Sequence, residues 1–170
     1  MAIDEPQVAL RYCGSADELD ALEPLWNALQ EHHGAVLPAL GSKTTPRDGA
    51  DAWQRRRAKY EAWLEDPETF FVVAEEGGRA IGYAFVTVGA GFAAWATGRL
   101  ANLETLSVLP EDRRLEVGTK LLEAAWSKLA DNRIDEMVIT TAITNVESHR
   151  FYERHGFEQA FVVYYGRREA

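Results

Sequence analysis

Only one cysteine, Cys13, stands among the 170 residues. An internal disulfide and a cysteine-built metal site are therefore excluded. No apolar run approaches the ~20 residues that a membrane-spanning helix needs. Residues 1–7 are acidic and have neither the basic start nor the apolar stretch of a signal peptide, so the expectation is a soluble, cytoplasmic protein with no membrane partner. Basic charge is scarce: 18 Lys and Arg stand against 27 Asp and Glu, a net charge of −9. That balance argues against a nucleic-acid partner and leaves room for a cationic small molecule such as an amine. His32 and His33 are adjacent and cannot share one helix face. With His149 and His155 they make no ligand spacing, so no metal is expected.

The remaining composition is that of a folding chain. Hydrophobic residues make up 46%, and the length suits one domain over residues 1–170. A strand is expected at 8–12. Ser15 and Glu18 form a capping box, repeated at Asp20 and Glu23, before Leu22, Leu25, Trp26 and Leu29 at helical spacing. Pro24 kinks that helix or starts a second segment. Residues 34–49 read as a loop. Asp51 caps a helix to Leu64 with Trp53, Tyr60, Trp63 and Leu64 on one face. Arg55, Arg56 and Arg57 make a solvated face or border an acceptor site.

Two β-rich runs, 69–74 and 80–88, flank Gly77-Gly78 and read as a hairpin. A Gly- and Ala-rich connection covers 89–98. Strands follow at 103–108, 137–142 and 161–165, with helices at 117–129 and 146–155. The order is β-α-α-β-β-β-α-β-α-β, hairpins first and a βαβ unit near the end. Gly89, Gly91 and Ala94 imitate a dinucleotide fingerprint, but no amphipathic helix follows. An oxidoreductase reading therefore has little support.

The chemistry concentrates between Leu103 and Leu122. A strand ends at Val108, a turn carries Arg113 and Arg114, and a helix begins near Val117. Free N–H groups and the positive end of a helix dipole converge there, which suits phosphate or pyrophosphate. The two arginines add cationic donors, and Gly118 lets the backbone approach closely. Read blandly, the same residues are a solvated turn and a packing glycine. A second informative stretch, 145–157, opens on Asn145 and carries Phe151 and Tyr152 two turns into a helix.

These residues resemble the GNAT superfamily of acyl-CoA-dependent N-acyltransferases. Val108, Pro110, Arg113 and Gly118 fit one of its motifs. Asn145, Phe151, Tyr152, Gly156 and Phe157 fit the other, with Ser148 where alanine is usual. The resemblance implies an α/β fold of mixed, mostly antiparallel type. Its six or seven strands would be flanked by helices and splayed where 103–108 and 137–142 diverge. Acetyl-CoA, the implied cosubstrate, would lie in the splay, its pantetheine arm along the backbone of Leu106, Ser107 and Val108. Its phosphates would meet Arg113, Arg114, Leu115, Glu116, Val117, Gly118 and Thr119, and Asn145 and Tyr152 would also contact it. Glu104 matches the family's base, Tyr152 the acid for the departing thiolate. The implied reaction is acetyl transfer to a primary amine of a small molecule or peptide, by direct attack in a ternary complex. Acceptor sites in the family are built from the first helices and the loop after the third strand, here 34–49 and 89–98. The aromatic end at Tyr164 and Tyr165 suggests a homodimer.

One position departs from the pattern. Glu116 replaces the first glycine of the phosphate loop, placing a carboxylate near a pyrophosphate. This motivates the alternative reading of a non-catalytic module with weakened CoA binding. Without the resemblance, Glu104 is equally a strand-end carboxylate in an ion pair and Tyr152 a packed aromatic.

Overall fold

The computed structural model describes residues 8–37, 45, 47–92 and 98–167. Trp95 and half of each of the 34–49 and 89–98 connections that were acceptor-site candidates lie outside that set. Strand β1 (Ala9–Cys13) leads into a 3-10 helix (Ala16–Leu22) and then α1 (Glu23–Val36). The Ser15 hydroxyl accepts from Asp17 N at 3.3 Å while Glu18 reaches back to Ser15 N, so the expected capping box forms. No second box forms: Leu22 precedes α1 without a side-chain cap. Pro24 sits in the first turn, where its missing N–H is harmless, and so marks a start and not a kink. Gly34 belongs to α1 rather than to a loop.

Helix α2 (Gly49–Leu64) begins three residues before the expected point, because Asp48 and not Asp51 is the cap, and Asp51 N donates to its carboxylate at 2.9 Å. Strands β2 (Phe70–Glu76) and β3 (Arg79–Ala90) join through Gly77 and Gly78, with φ of +57° and +81°. Such a two-residue turn needs positive φ at both places, which is why two glycines stand there. Strand β4 (Arg99–Val108), a second 3-10 helix (Pro110–Leu115), α3 (Val117–Asp131), β5 (Met137–Ile139) and α4 (Val146–Arg154) follow.

The five strands lie in order β1-β2-β3-β4-β5, antiparallel except for the parallel pair β4 and β5. Both faces of the sheet are covered. Phe70, Val72 and Ala74 pack with Leu121, Leu122, Ala125 and Leu129 of α3. Phe71 and Val73 point the other way, against Leu22, Leu25, Trp26, Trp53 and Tyr60 of the first helices. A strand buried on both faces reads as an unbroken apolar run, which is what residues 70–74 show.

Two strand expectations need correction. The expected strand 137–142 pairs only over Met137–Ile139. The expected closing strand 161–165 is not a strand; Val163 is 81% and Tyr164 91% exposed. Five strands therefore replace the expected six or seven among the described residues. β-Branched and aromatic residues favour a strand only when an edge is there to receive them. No strand receives these.

Candidate active site

The strand β4 holds the center of the site. It pairs with β5 only at Ala101, Asn102 and Leu103; from Glu104 to Val108 that edge meets no strand among the described residues. This is the expected splay, beginning at Glu104. On its other side β4 pairs with β3, and the register slips: Val86 faces Leu103 while Phe85 faces Thr105. Glu104 is the extra residue of a β-bulge.

The bulge reverses which residues face which layer. Ala101 and Leu103 join the α3 cluster, and so do Leu106 and Val108, three and five places beyond Leu103. Thr105 and Ser107 turn to the first helices. Thr105 Oγ1 bonds the Tyr60 hydroxyl at 2.6 Å, and Ser107 Oγ donates to the Leu25 carbonyl at 3.1 Å. Leu106, Ser107 and Val108 thus have occupied side chains and can offer a ligand only backbone at the parting edge. The half-buried Glu104 carboxylate accepts from Thr87 Oγ1 at 2.8 Å. Its second oxygen has no hydrogen-bond partner among the described residues.

Close approach of β3 beneath this edge requires Gly82. A Cβ there would lie 2.8 Å from the Ser107 carbonyl oxygen and 3.2 Å from Leu121 Cδ1. A side chain would push β4 sideways and shift the edge.

The turn after β4 is anchored by a pair that sequence reading missed. Buried Asp112 receives Arg79 Nη2 at 3.2 and 3.0 Å. The partners are 33 positions apart, with no local signal to join them. Arg113 lies 3.5 Å from Glu147 at the start of α4, tying the turn to that helix. The side chains of Arg114 and Leu115 lie outside the described part. Glu116 takes the left-handed conformation, φ +52° and ψ +24°, and opens α3 without a side-chain cap. The first-turn N–H groups, including those of Val117, Gly118 and Thr119, therefore point out of the helix end uncapped. Gly118 also packs closely: a Cβ would stand 3.4 Å from the Phe151 ring.

Helix α4 closes this side. Buried Asn145 caps it, accepting from Ser148 N at 3.2 Å. His155 Nδ1 donates to the Phe151 carbonyl at 2.7 Å, so Nε2 accepts from the Thr119 hydroxyl at 3.2 Å. Thr119 thereby links α3 to α4. Half-buried Tyr152 lies among Phe151 and Phe157, with ring centers 5.3 and 5.9 Å away. Burial pushes its phenol up to about 12, which keeps the proton in place at neutral pH. Tyr152 belongs to the α3 side of the sheet and Glu104 to the side of the first helices. The two side chains lie on opposite faces of the sheet.

Behind Glu104 lies a hydroxyl network that was not anticipated as part of the site. Tyr60 bonds both Thr105 and Tyr83, at 2.6 and 3.1 Å. The helical stripe exposed Tyr60 as a core residue, but only the bulge places it beside the carboxylate. Cys13 is buried in the cluster beneath the first helices, and burial pushes its thiol up to about 12. Among the described residues no group of His, Cys, Asp and Glu is arranged to hold a metal, and no helix is long and apolar enough to cross a membrane.

The sequence model described as the acetyltransferase (GNAT) family matches residues 26–157. The uncharacterized N-acetyltransferase YhfO of Bacillus subtilis is 28% identical over 139 residues, 82% of this chain and 83% of that protein. A mycothiol acetyltransferase of Thermobispora bispora is 30% identical over 135 residues, 79% of this chain and 42% of that protein. Among solved structures, the aminoglycoside N-acetyltransferase AAC(6')-Iy in complex with CoA superposes with a TM-score of 0.72 at 19% identity, covering 100% of both chains. A GCN5-related N-acetyltransferase from Ralstonia eutropha gives the same TM-score and identity over 94% of this chain and 98% of that one. At such identity the two structures bear on the fold.

Proposed function

This chain belongs to the GNAT acetyltransferase family, and on that premise we propose that it moves an acetyl group from acetyl-CoA to a primary amine by direct attack. The observation that carries the reading is Glu104. A bulge turns its carboxylate toward the first helices where β4 and β5 part, and Thr87 steadies one oxygen. An alkylamine arrives as ammonium and must lose a proton before it can attack. Glu104 takes that proton, directly or through water. The C–N bond then forms at the thioester carbonyl, whose oxygen is polarized by backbone N–H on the unpaired edge. The C–S bond breaks, sulfur leaves as thiolate, and the nitrogen gives its second proton to water as the amide forms. Tyr152 donates to the thiolate. A phenol near 12 is a weaker acid than a thiol near ~8.5, so this is a hydrogen bond to sulfur, with the final proton supplied by solvent. Cys13 supports a route without an acyl-enzyme: its buried, protonated thiol is a poor nucleophile.

The pyrophosphate is proposed to sit on the start of α3, against the N–H groups of Glu116, Val117, Gly118 and Thr119, with Arg113 and Arg114 alongside. Asn145 holds α4, and so Tyr152, in place. Calorimetric titration with acetyl-CoA, followed by thiol release with a panel of amines, tests the whole reading. Micromolar binding and amine-dependent release are expected. Absence of both would leave the non-catalytic reading that Glu116 motivates.

Two variants sharpen the test. Tyr152→Phe is expected to lower kcat by about 10- to 100-fold, the worth of one hydrogen bond to a charged group, with acetyl-CoA affinity retained. Unchanged turnover would remove Tyr152 from the mechanism. Glu116→Gly relieves a left-handed residue and removes a carboxylate from an anion site. It is expected to raise stability by up to about 1 kcal/mol and to tighten acetyl-CoA binding by about 3- to 10-fold. Urea unfolding and calorimetry read the two effects separately. A loss of stability would mean that the Glu116 side chain contributes a contact.

A further inference from the structure

A cavity of about 280 Å³ lies between α1 and α2, lined by Trp26, Gln30, Arg47, Arg55, Arg56 and Lys59 together with Ala52. Its walls are cationic in a chain whose net charge is −9. One carboxylate, Asp51, serves two of these cations, lying 2.9 Å from Arg47 and 3.0 Å from Arg55. Arg56 and Lys59 have no carboxylate within ion-pair distance among the described residues. They lie instead over aromatic rings, Arg56 Cζ 4.3 Å from the Trp26 ring center and Lys59 Nζ 4.5 Å from that of Trp63. Counting Asp51 against the four cations leaves a surplus of three positive charges.

A second observation points the same way. Trp26 is 5% exposed, and its indole N–H is buried without a hydrogen-bond partner among the described residues. A buried donor without an acceptor is uncommon in a folded protein, and the neighboring Asn27 Oδ1 is likewise buried without a partner among the described residues. Trp26, Gln30 and His33 fall on one stripe of α1. Burial, reinforced by His32 and Arg56, holds His33 below the usual imidazole range.

The cavity also adjoins the proposed chemistry. Arg56 lies 5.4 Å from the Tyr60 ring center, and the Tyr60 hydroxyl bonds Thr105, the neighbor of Glu104. Two residues, Tyr60 and Thr105, therefore link the cationic wall to Glu104. We propose that this cavity receives an oxyanion carried by the acceptor itself, a carboxylate or a phosphate. The substrate class is then an amine bearing an acidic group, and Arg56, Lys59 and Trp26 are its specificity residues. Guanidinium and ammonium groups offer only donors, matching an oxyanion and opposing a polycation. The overall acidity of the chain favors a cationic acceptor; the proposal rests instead on the local distribution of charge.

This proposal rests on the N-acetyltransferase reading, and the test separates the two. Acetylation by the full chain is followed by thiol release with ω-aminoalkyl compounds of equal length ending in carboxylate, phosphate, neutral amide or ammonium. At least one anionic acceptor is expected to exceed the amide and the diamine by about tenfold in kcat/KM, and the ratio between the two anions identifies the source. Arg56→Gln and Lys59→Gln are each expected to raise KM for that anion by about tenfold, with acetyl-CoA affinity within a factor of about two. Calorimetry of the anionic acceptors on CoA-saturated protein reads the site without turnover. Equal or better use of the amide or diamine overturns the proposal. So does an anion KM that Arg56→Gln leaves unmoved, or absence of anion binding to the CoA complex. Failure to bind acetyl-CoA at all overturns the parent reading instead, and this one with it.

Discussion

Glu104→Gln is expected to lower kcat/KM for amine acetylation by about 10²- to 10³-fold, the usual worth of a positioned general base. Glutamine keeps the shape and can still accept from Thr87, which donates to Oε1 at 2.8 Å. The bulge, the hydroxyl network and acetyl-CoA affinity should therefore survive, leaving only the lost proton acceptance. A second readout follows from that cause. An aromatic amine is already neutral at pH 7 and needs no base. With such an acceptor the deficit should shrink toward tenfold or less. Equal deficits for alkyl and aromatic amines would mean that Glu104 positions the acceptor and does not take its proton. No deficit would remove it from the site.

The second large effect concerns the support beneath that carboxylate. Tyr60→Ala is expected to destabilize the fold by about 3–5 kcal/mol. Tyr60 is fully buried and stacks on Phe85, ring centers 3.9 Å apart and planes 7° from parallel. The stack continues to Phe71, 5.6 Å from Phe85, so α2 is pinned to β3 and β2 through one ring. Alanine would leave a hole among rigid neighbors and strand the hydroxyls of Thr105 and Tyr83. Tyr60→Phe keeps the ring and loses only the hydroxyl, with an expected destabilization of about 1–2 kcal/mol. Urea unfolding at pH 7 separates the two, and a Tyr60→Ala loss below that of Tyr60→Phe would refute the packing argument.

The network also has a pH signature. Burial raises both the Tyr60 phenol and, further still, that of Tyr83. Their full stability is present below the phenol's ordinary range, near ~10. Above it the unfolded chain releases protons that the folded one retains. Unfolding is then favored increasingly as pH rises toward the folded-state values. Tyr60→Phe should make that alkaline fall shallower.

Local physics made much of this protein readable from its residues. The two glycines at 77 and 78 specify a hairpin because few other residues accept positive φ twice in succession. The capping box at Ser15 and the cap at Asn145 satisfy helix ends with side chains a few positions away. The β-rich run 69–74 announced the first strand of that hairpin, found at Phe70–Glu76. Placement of a helix start after β4, the proposed anion-binding feature, follows from the strand–turn–helix order alone.

Tertiary structure decided the rest, because pairing between distant segments has no local signature. The slip that makes Glu104 a bulge residue depends on how β3 meets β4. An expectation of unbroken alternation would put Leu103 and Thr105 on one face, and the structure puts them on opposite ones. The Arg79 and Asp112 pair joins two turns, and the Tyr60 network joins a helix to two strands. Residues 161–165 have the strand-forming traits, yet they pair with no strand among the described residues. The charge total favored a cationic partner, yet Arg56 of α2 comes to lie over Trp26 of α1 only once the two helices have packed together. Composition adds charges without regard to place. A binding site is made by where the fold puts them.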